Sequence, residues 1–264
     1  MKNKNDHDRI RKNVRSRYAE IAKAKTKGCC GVSCCSSSSP AIGAKASAKI
    51  GYSKKDMQAV PEGSNMGLGC GNPQAIAKLK KGEVVLDLGS GGGFDCFLAA
   101  RQVGGRGHVI GIDMTPEMLS KARENAVKGN YRNVEFRLGE IEHLPVADNS
   151  VNVIISNCVI NLSPDKSQVF HEAGRVLAQG GRLAISDVVA VKKLPDRVKK
   201  DLATYAGCVA GAALVQDVKR MLRAAGFSRI KVEVNHASRE FIKDWFPGSG
   251  IEAYVASARI EAIK

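Results

Sequence analysis

VLDLGSGGG, residues 85–93, is the stretch on which the fold turns. Val85, Leu86 and Leu88 form an apolar run of strand length, and the residues that follow at 94–101 continue as a helical pattern. A strand that passes into a helix through glycines leaves bare backbone and unpaired N–H groups at the carboxyl edge of a sheet, where a ligand can approach closely. The spacing is G-x-G-x-G at Gly89, Gly91 and Gly93. A dinucleotide fingerprint wants its third glycine at position 94, which is Phe94.

Outward from this turn, short apolar strands alternate with helical stretches. Strands are expected at 83–88, 108–114, 134–139, 151–156 and 181–189, with helices at 94–101, 116–128 and 166–176 between them. Two more strands, at 229–235 and 252–262, follow near the C-terminus. This alternation predicts a doubly wound α/β fold, a mostly parallel seven-stranded sheet with helices on both faces.

Two carboxylates refine the ligand. Asp87 stands just before the glycines, where it meets a positively charged group better than a pyrophosphate, and suits a cationic amino-acid end. Asp113 closes the next strand, where it can accept hydrogen bonds from both hydroxyls of a ribose. Together with the turn, these residues resemble the class I methyltransferase cofactor site, a Rossmann-like arrangement, over residues 83–190. The resemblance implies that Gly89, Ser90 and Gly91 wrap the methionine portion of S-adenosylmethionine. It further implies Asp113 and Met114 on the ribose and adenine face, Ile141 and Glu142 at the adenine edge, and Asn157 beside the methyl-accepting pocket.

Composition bounds the remaining choices. A chain of 264 residues accommodates one large α/β domain with additions at both ends. No apolar run reaches the length of a membrane span, and the basic N-terminus (Lys2, Lys4, Arg9, Arg11) lacks the apolar stretch of a secretory signal, so a cytoplasmic protein with no membrane partner is expected. The net charge of +15 is spread along the chain and not interleaved with aromatics, so nucleic acid is not the expected partner. The five histidines (His7, His108, His143, His171, His236) show no paired ligand spacing that would make a metal site.

The ends are read as additions to the core. Ile10, Val14, Tyr18 and Ile21 share one helical face, so residues 1–27 read as a docking helix. GCCGVSCCSSSSP at 28–40 has nothing from which to pack a core and is expected to be mobile, with 28–50 poorly ordered. Short helices are expected near 54–60 and 74–79, on either side of the glycine-rich loop GSNMGLGCGNP at 63–73. The division is then a basic helix with a Cys-rich extension at 1–50, a cofactor-binding core at 51–190, and a C-terminal cap with the last strands at 191–264.

Eight cysteines in such a chain point to thiol chemistry or soft-metal binding rather than a disulfide framework. Cys158, in IISNCVINLSPDK, falls at the carboxyl end of the fourth strand. Cys70 lies in GLGCGNP before the first strand, and Cys208 in YAGCVAGA after the fifth. A single cysteine is most often a small buried apolar residue. Three in glycine-rich or loop contexts around one cofactor mouth fit a soft, thiophilic ion held by thiolates.

GYSKKDMQAVPEGSNMGLGCGNP, LDLGSGGGFDCFLAA, ISNCVINLSPDK and YAGCVAGA together resemble the arsenite methyltransferase family, from Gly51 to the C-terminus. The resemblance implies arsenite methylated stepwise with S-adenosylmethionine for arsenic detoxification. Cys158 and Cys208 would be the principal arsenic ligands and Cys70 a third thiol. Methylated arsenicals would be the products, and thioredoxin or glutathione the thiol reductant. The family has an additional N-terminal cysteine, and Cys29, Cys30, Cys34 and Cys35 leave open which one takes that part. This CCxxxCC cluster reads as a relay of arsenic to the inner site, as resolving thiols, as a separate metal site, or as an incidental thiol-rich tail. Asp187 reads as a structural carboxylate, and Trp245 as an anchor of the C-terminal cap or a cover for the substrate mouth. Two rivals remain: a methyltransferase for another small molecule such as a quinone precursor, and a thiol-rich arsenic or metal sensor or chaperone.

Overall fold

A computed structural model describes residues 4–24, 40–200, 205 and 207–264. The core is a seven-stranded sheet made of β1 (Val84–Leu88), β2 (His108–Asp113), β3 (Val134–Leu138), β4 (Val151–Asn157), β5 (Leu177–Ala190), β6 (Ser228–Asn235) and β7 (Val255–Ile263). The spatial order is β3-β2-β1-β4-β5-β7-β6, with β7 antiparallel to both β5 and β6 and the other pairings parallel. Because both faces of the central strands are covered, they read as nearly continuous apolar runs.

Successive side chains of β1 serve opposite faces, as a pleated strand requires. Leu86 and Leu88 belong to the core shared with Ile154, Phe170 and Leu183, whereas Val85 packs on the other face with Phe97, Val109 and Ile155. Phe97 is fully buried, and removing such a side chain from water stabilises the fold by about 2–3 kcal/mol.

The helices are α1 (Lys4–Lys23), α2 (Pro40–Lys49), α3 (Lys54–Gln58), α4 (Gln74–Ala77), α5 (Phe94–Val103), α6 (Pro116–Lys128), α7 (Lys166–Val176), α8 (Asp196–Lys200), α9 (Val215–Ala224) and α10 (Arg239–Ile242). α6 and α7 have the predicted bounds. α3 and α4 are shorter than expected, α4 stopping where Lys78 turns to a left-handed φ of +47°. α9 was not anticipated at all. The expected docking helix is present as α1, which buries Ile10 and Val14 and packs against α6.

The expectation of a poorly ordered 28–50 is corrected for its second half, because 40–49 form α2. Gly43 lets that helix lie against the 63–73 loop, since a Cβ there would sit 3.2 Å from the Asn65 carbonyl oxygen, and Ser47 Oγ donates to Asn65 Oδ1 at 2.8 Å. Cys29, Cys30, Cys34 and Cys35 lie outside the described residues.

β1 is flanked by β2 on one side and β4 on the other, so the connections wind in opposite directions from this point and leave a crevice beyond the carboxyl ends. The register pairs Leu88 with Ile112 and with Ser156. The glycine turn, Asp113 and the Asn157–Cys158 pair therefore meet at one edge.

Candidate active site

At the turn, Gly89 and Gly91 adopt φ values of +74° and +51°, which favour glycine. A Cβ on Gly89 would strike Val159, whereas beside Gly91 there is open space. Ser90 is 7% exposed, and its buried hydroxyl finds no partner among the described residues. Buried hydroxyls in folded proteins nearly always have one, so Ser90 Oγ is free for a ligand in this crevice.

Asp113 accepts the N–H groups of Gly91 at 3.0 Å and Thr115 at 2.8 Å, which fixes the carboxylate while leaving lone pairs for two further donors. Burial raises its pKa, and those backbone donors oppose the rise. Asp87 is buried beside Asp95, and burial first, then that neighbouring charge, push its carboxyl up. Burial likewise raises Asp95 to about 6, against the hydrogen bonds from Tyr52 and Gln74. Two neighbouring buried acids favour a cation between or beside them. The crevice thus offers an orphaned hydroxyl, room beside a glycine and paired acids, a set that fits S-adenosylmethionine.

Other predicted cofactor residues are engaged with the protein. Glu142 is 3% exposed, accepts from Ser163 Oγ at 2.7 Å and pairs with Arg11 of α1 at 3.3 Å. Ile141 packs into the main core, and Met114 lies against the cluster that contains the three cysteines. Asn157 donates to the Tyr52 hydroxyl and the Gly71 carbonyl, and accepts from the Cys70 amide. Tyr52 and Asp95 carry no signal of their own in the sequence, although both lie in the stretches that bear the family resemblance.

Cys70, Cys158 and Cys208 converge as free, buried thiols. Cys208 Sγ donates to the Cys158 carbonyl at 2.7 Å. The sulfurs of Cys70 and Cys158 and a carboxylate oxygen of Asp187 lie within 4.8 Å of one another. Asp187 is held by the N–H groups of Ile160 and Val188 and by Asn161 Nδ2, in keeping with a structural carboxylate, and its pKa is raised to about 6 by burial. The Cys70 thiol is pushed up to about 11, chiefly by burial. Cys208 is raised by its hydrogen bond to Cys158 and by burial; Cys158 is lowered by Cys208 but raised more, in sum, by Cys70 and burial. The three are therefore neutral thiols in the free protein.

α1 roofs this end of the crevice. Its Tyr18 packs against the cysteine cluster, Arg11 bridges to Glu140 and Glu142, and Lys23 reaches Glu117 at 2.8 Å. Phe241 and Trp245, whose rings lie 5.7 Å apart, also pack against the cluster.

The sheet order and the crevice define an S-adenosylmethionine-dependent methyltransferase, and residues 79–226 match the family model described as a methyltransferase domain. More narrowly, the chain belongs to the arsenite methyltransferase family. It is 54% identical to the arsenite methyltransferase of Halobacterium salinarum over 98% of its own length and 68% of that relative's. It is 44% identical to the arsenite methyltransferase of Aquipseudomonas alcaligenes over 65% of this chain, spanning about half (51%) of that protein. The crystal structure of an arsenic(III) S-adenosylmethionine methyltransferase from Chlamydomonas reinhardtii superposes with a TM-score of 0.62 at 34% identity, covering 83% of this chain and 73% of that one. Among the described residues, no helix is long and apolar enough to cross a membrane.

Proposed function

We propose that this chain methylates trivalent arsenic held by the thiols of Cys70, Cys158 and Cys208. The observation that carries the reading is the meeting of three buried free thiols from three separate segments at the mouth of the cofactor crevice. A soft ion bound by thiolates is the chemistry such a cluster fits best. Neutral thiols suit arsenite, because each arsenic–sulfur bond forms as a thiol proton and an arsenite hydroxyl leave together as water.

On this reading Asp87 holds the amino end of the cofactor, Gly89, Ser90 and Gly91 wrap its methionine portion, and Asp113 with Met114 holds the ribose. Ile141 and Glu142 border the adenine. Bound there, S-adenosylmethionine supplies a methyl group on a sulfonium. Arsenic held by thiolates keeps a lone pair that can accept the methyl carbon, so no general base is needed at that point. The work of the protein is positioning, and α1 and the 241–246 segment exclude water around the thiols.

Accepting the methyl group raises arsenic from the trivalent to the pentavalent state. Two thiolates leaving together as a disulfide return the two electrons, and an external dithiol, or two molecules of a monothiol, then reopens the disulfide. Thioredoxin or glutathione is the reductant in this scheme, which belongs in the cytoplasm and serves arsenic detoxification. Cys29, Cys30, Cys34 and Cys35 pass arsenic or electrons to the inner thiols. Residues 1–50, 51–190 and 191–264 act as thiol-bearing extension, cofactor-binding core and substrate cap.

The test is methyl transfer from labelled S-adenosylmethionine to arsenite with a dithiol present, comparing the intact protein with Cys158→Ser and Cys208→Ser. Methylated arsenic from the intact protein that disappears in both variants, while S-adenosylhomocysteine still binds, supports the thiol site. A folded, cofactor-binding protein that yields no methylated arsenic overturns it.

A further inference from the structure

A line of hydrogen bonds joins the paired acids of the cofactor crevice to the backbone of Cys70. The Tyr52 hydroxyl donates its one proton to the Asp95 carboxylate, 2.8 Å from Oδ1 and 2.9 Å from Oδ2. Having spent that proton, it can only accept from the next group, and Asn157 Nδ2 donates to it at 3.0 Å. The other Nδ2 proton goes to the Gly71 carbonyl at 2.8 Å. The side-chain oxygen must then face the opposite way, where it accepts the Cys70 amide at 3.1 Å.

The Gly71 carbonyl and the Cys70 amide set which end of Asn157 meets them, and the Tyr52 oxygen, with its proton on Asp95, is the second acceptor for Nδ2. If Asp95 did not take the tyrosine proton, the hydroxyl could turn toward Asn157 Nδ2, donor would face donor, and the amide that meets Cys70 would have to shift. The loop has no slack to absorb a change, because a Cβ on Gly69 would lie 2.8 Å from Asn157 Nδ2. Tyr52 is itself buried, 4% exposed, and held by its ring against Phe94, with centroids 4.8 Å apart.

We propose that Tyr52 is a positioning residue that couples the cofactor crevice to the arsenic site: through Asn157 it transmits the state of Asp95 to the backbone that carries Cys70. The inference rests on the functional reading above, which puts a cationic amino end at the acids and arsenic at Cys70. A cation beside Asp87 and Asp95 keeps the carboxylate ionised, the form that only accepts, so the tyrosine proton stays on Asp95 and the Cys70 amide stays locked. By linkage the effect is mutual: arsenic that immobilises Cys70 makes the same network ready for the cofactor.

The experiment measures this coupling by binding alone. The chain has a single tryptophan, Trp245, packed on the cysteine cluster, whose fluorescence reports arsenite binding. Arsenite is titrated with and without saturating S-adenosylhomocysteine, in the unaltered chain, Tyr52→Phe, Asn157→Asp and Gln74→Ala. Gln74 also donates to Asp95, through Nε2 at 3.3 Å, but stands outside the line to Cys70.

The expected result is that S-adenosylhomocysteine tightens arsenite binding by about tenfold in the unaltered chain and in Gln74→Ala. Tyr52→Phe should bind each ligand alone but show a coupling factor near one. Asn157→Asp, which has no proton for Tyr52 or Gly71, should lose coupling likewise and covers the case of a Tyr52→Phe chain that does not fold. Coupling that survives both substitutions, or is lost equally in Gln74→Ala, overturns the proposal. An unaltered chain that binds both ligands independently overturns this inference but not the function. One that binds S-adenosylhomocysteine and never arsenite overturns both.

Discussion

The thiol of Cys208 donates to the backbone carbonyl of Cys158 across 2.7 Å, and both residues hold left-handed backbone conformations, at φ +64° and +62°. Side chains other than glycine rarely accept such angles, and each costs on the order of 1–2 kcal/mol. The fold bears that strain at two of the three positions where thiols converge. Cys158→Gly and Cys158→Ala both remove the sulfur, but only the first relieves the backbone. The glycine variant should therefore be about 1 kcal/mol more stable than the alanine variant in urea unfolding, the reverse of the order in ordinary structure. A more stable alanine variant would mean that the angle at Cys158 is not strained.

Gly69 lies against Asn157 with a φ of +147° and no room for a methyl group, since its Cβ would stand 2.8 Å from Nδ2. Gly69→Ala should push the Cys70 loop away from β4 while leaving the glycine turn untouched. Methyl transfer to arsenite is expected to fall by roughly 100-fold, as displacements of about 1 Å commonly do, with S-adenosylhomocysteine affinity within about twofold of the original. Equal losses in both measurements would place the damage in the fold as a whole.

Asp95 is raised to about 6 by burial, and Asp87 shifts upward with it. A ligand ammonium prefers the ionised pair. As Asp95 takes up its proton, S-adenosylhomocysteine affinity should thus weaken as pH falls through 6, by up to about tenfold per unit. Titration calorimetry between pH 5 and 7.5 measures this, and Asp95→Asn should flatten the profile. In the free protein the sign is opposite. A carboxyl whose folded pKa exceeds its unfolded value of about 4 contributes stability that is complete below pH 4 and is lost as pH rises through 6.

Arg11 fastens α1 by meeting Glu140 at 3.2 Å and the buried Glu142 at 3.3 Å, with its side chain 15% exposed. Arg11→Ala leaves the Glu142 carboxylate with Ser163 but no cation. A loss of roughly 1–3 kcal/mol is expected, together with faster amide exchange across α1. Lys23→Ala breaks the pair with Glu117 in the open, where the lysine side chain is 67% exposed, and should leave the melting temperature unchanged. Similar effects from both substitutions would contradict a latch centred on Glu142.

What the sequence disclosed depended on how local the cause is. The glycine turn, Asp87 and Asp113 were legible because backbone angles and strand ends dictate those residue types within a few positions. α6 and α7 were legible from their amphipathic repeats. α2 was not, because PAIGAKASAK follows a serine run and has almost no apolar face of its own. α9 carries a short signal in Val215, Val218 and Leu222, at spacings of three and four. The line from Asp95 through Tyr52 and Asn157 to Cys70 had none. Its members are 43, 105 and 87 residues apart, and only the sheet brings them together.

The placement of β7 between β5 and β6 bears on how the molecule comes into being. β6 touches the sheet only through β7, yet precedes it in the chain. During translation, residues 228–235 emerge with no strand to join, while β5 presents an unpaired edge to whatever is nearby. The five parallel strands that carry the crevice can assemble first, but the finished sheet waits for a segment that must thread into a gap between its elders. Crowded nascent chains are most exposed to mispairing in that interval, and a chaperone that shields the β5 edge would act there.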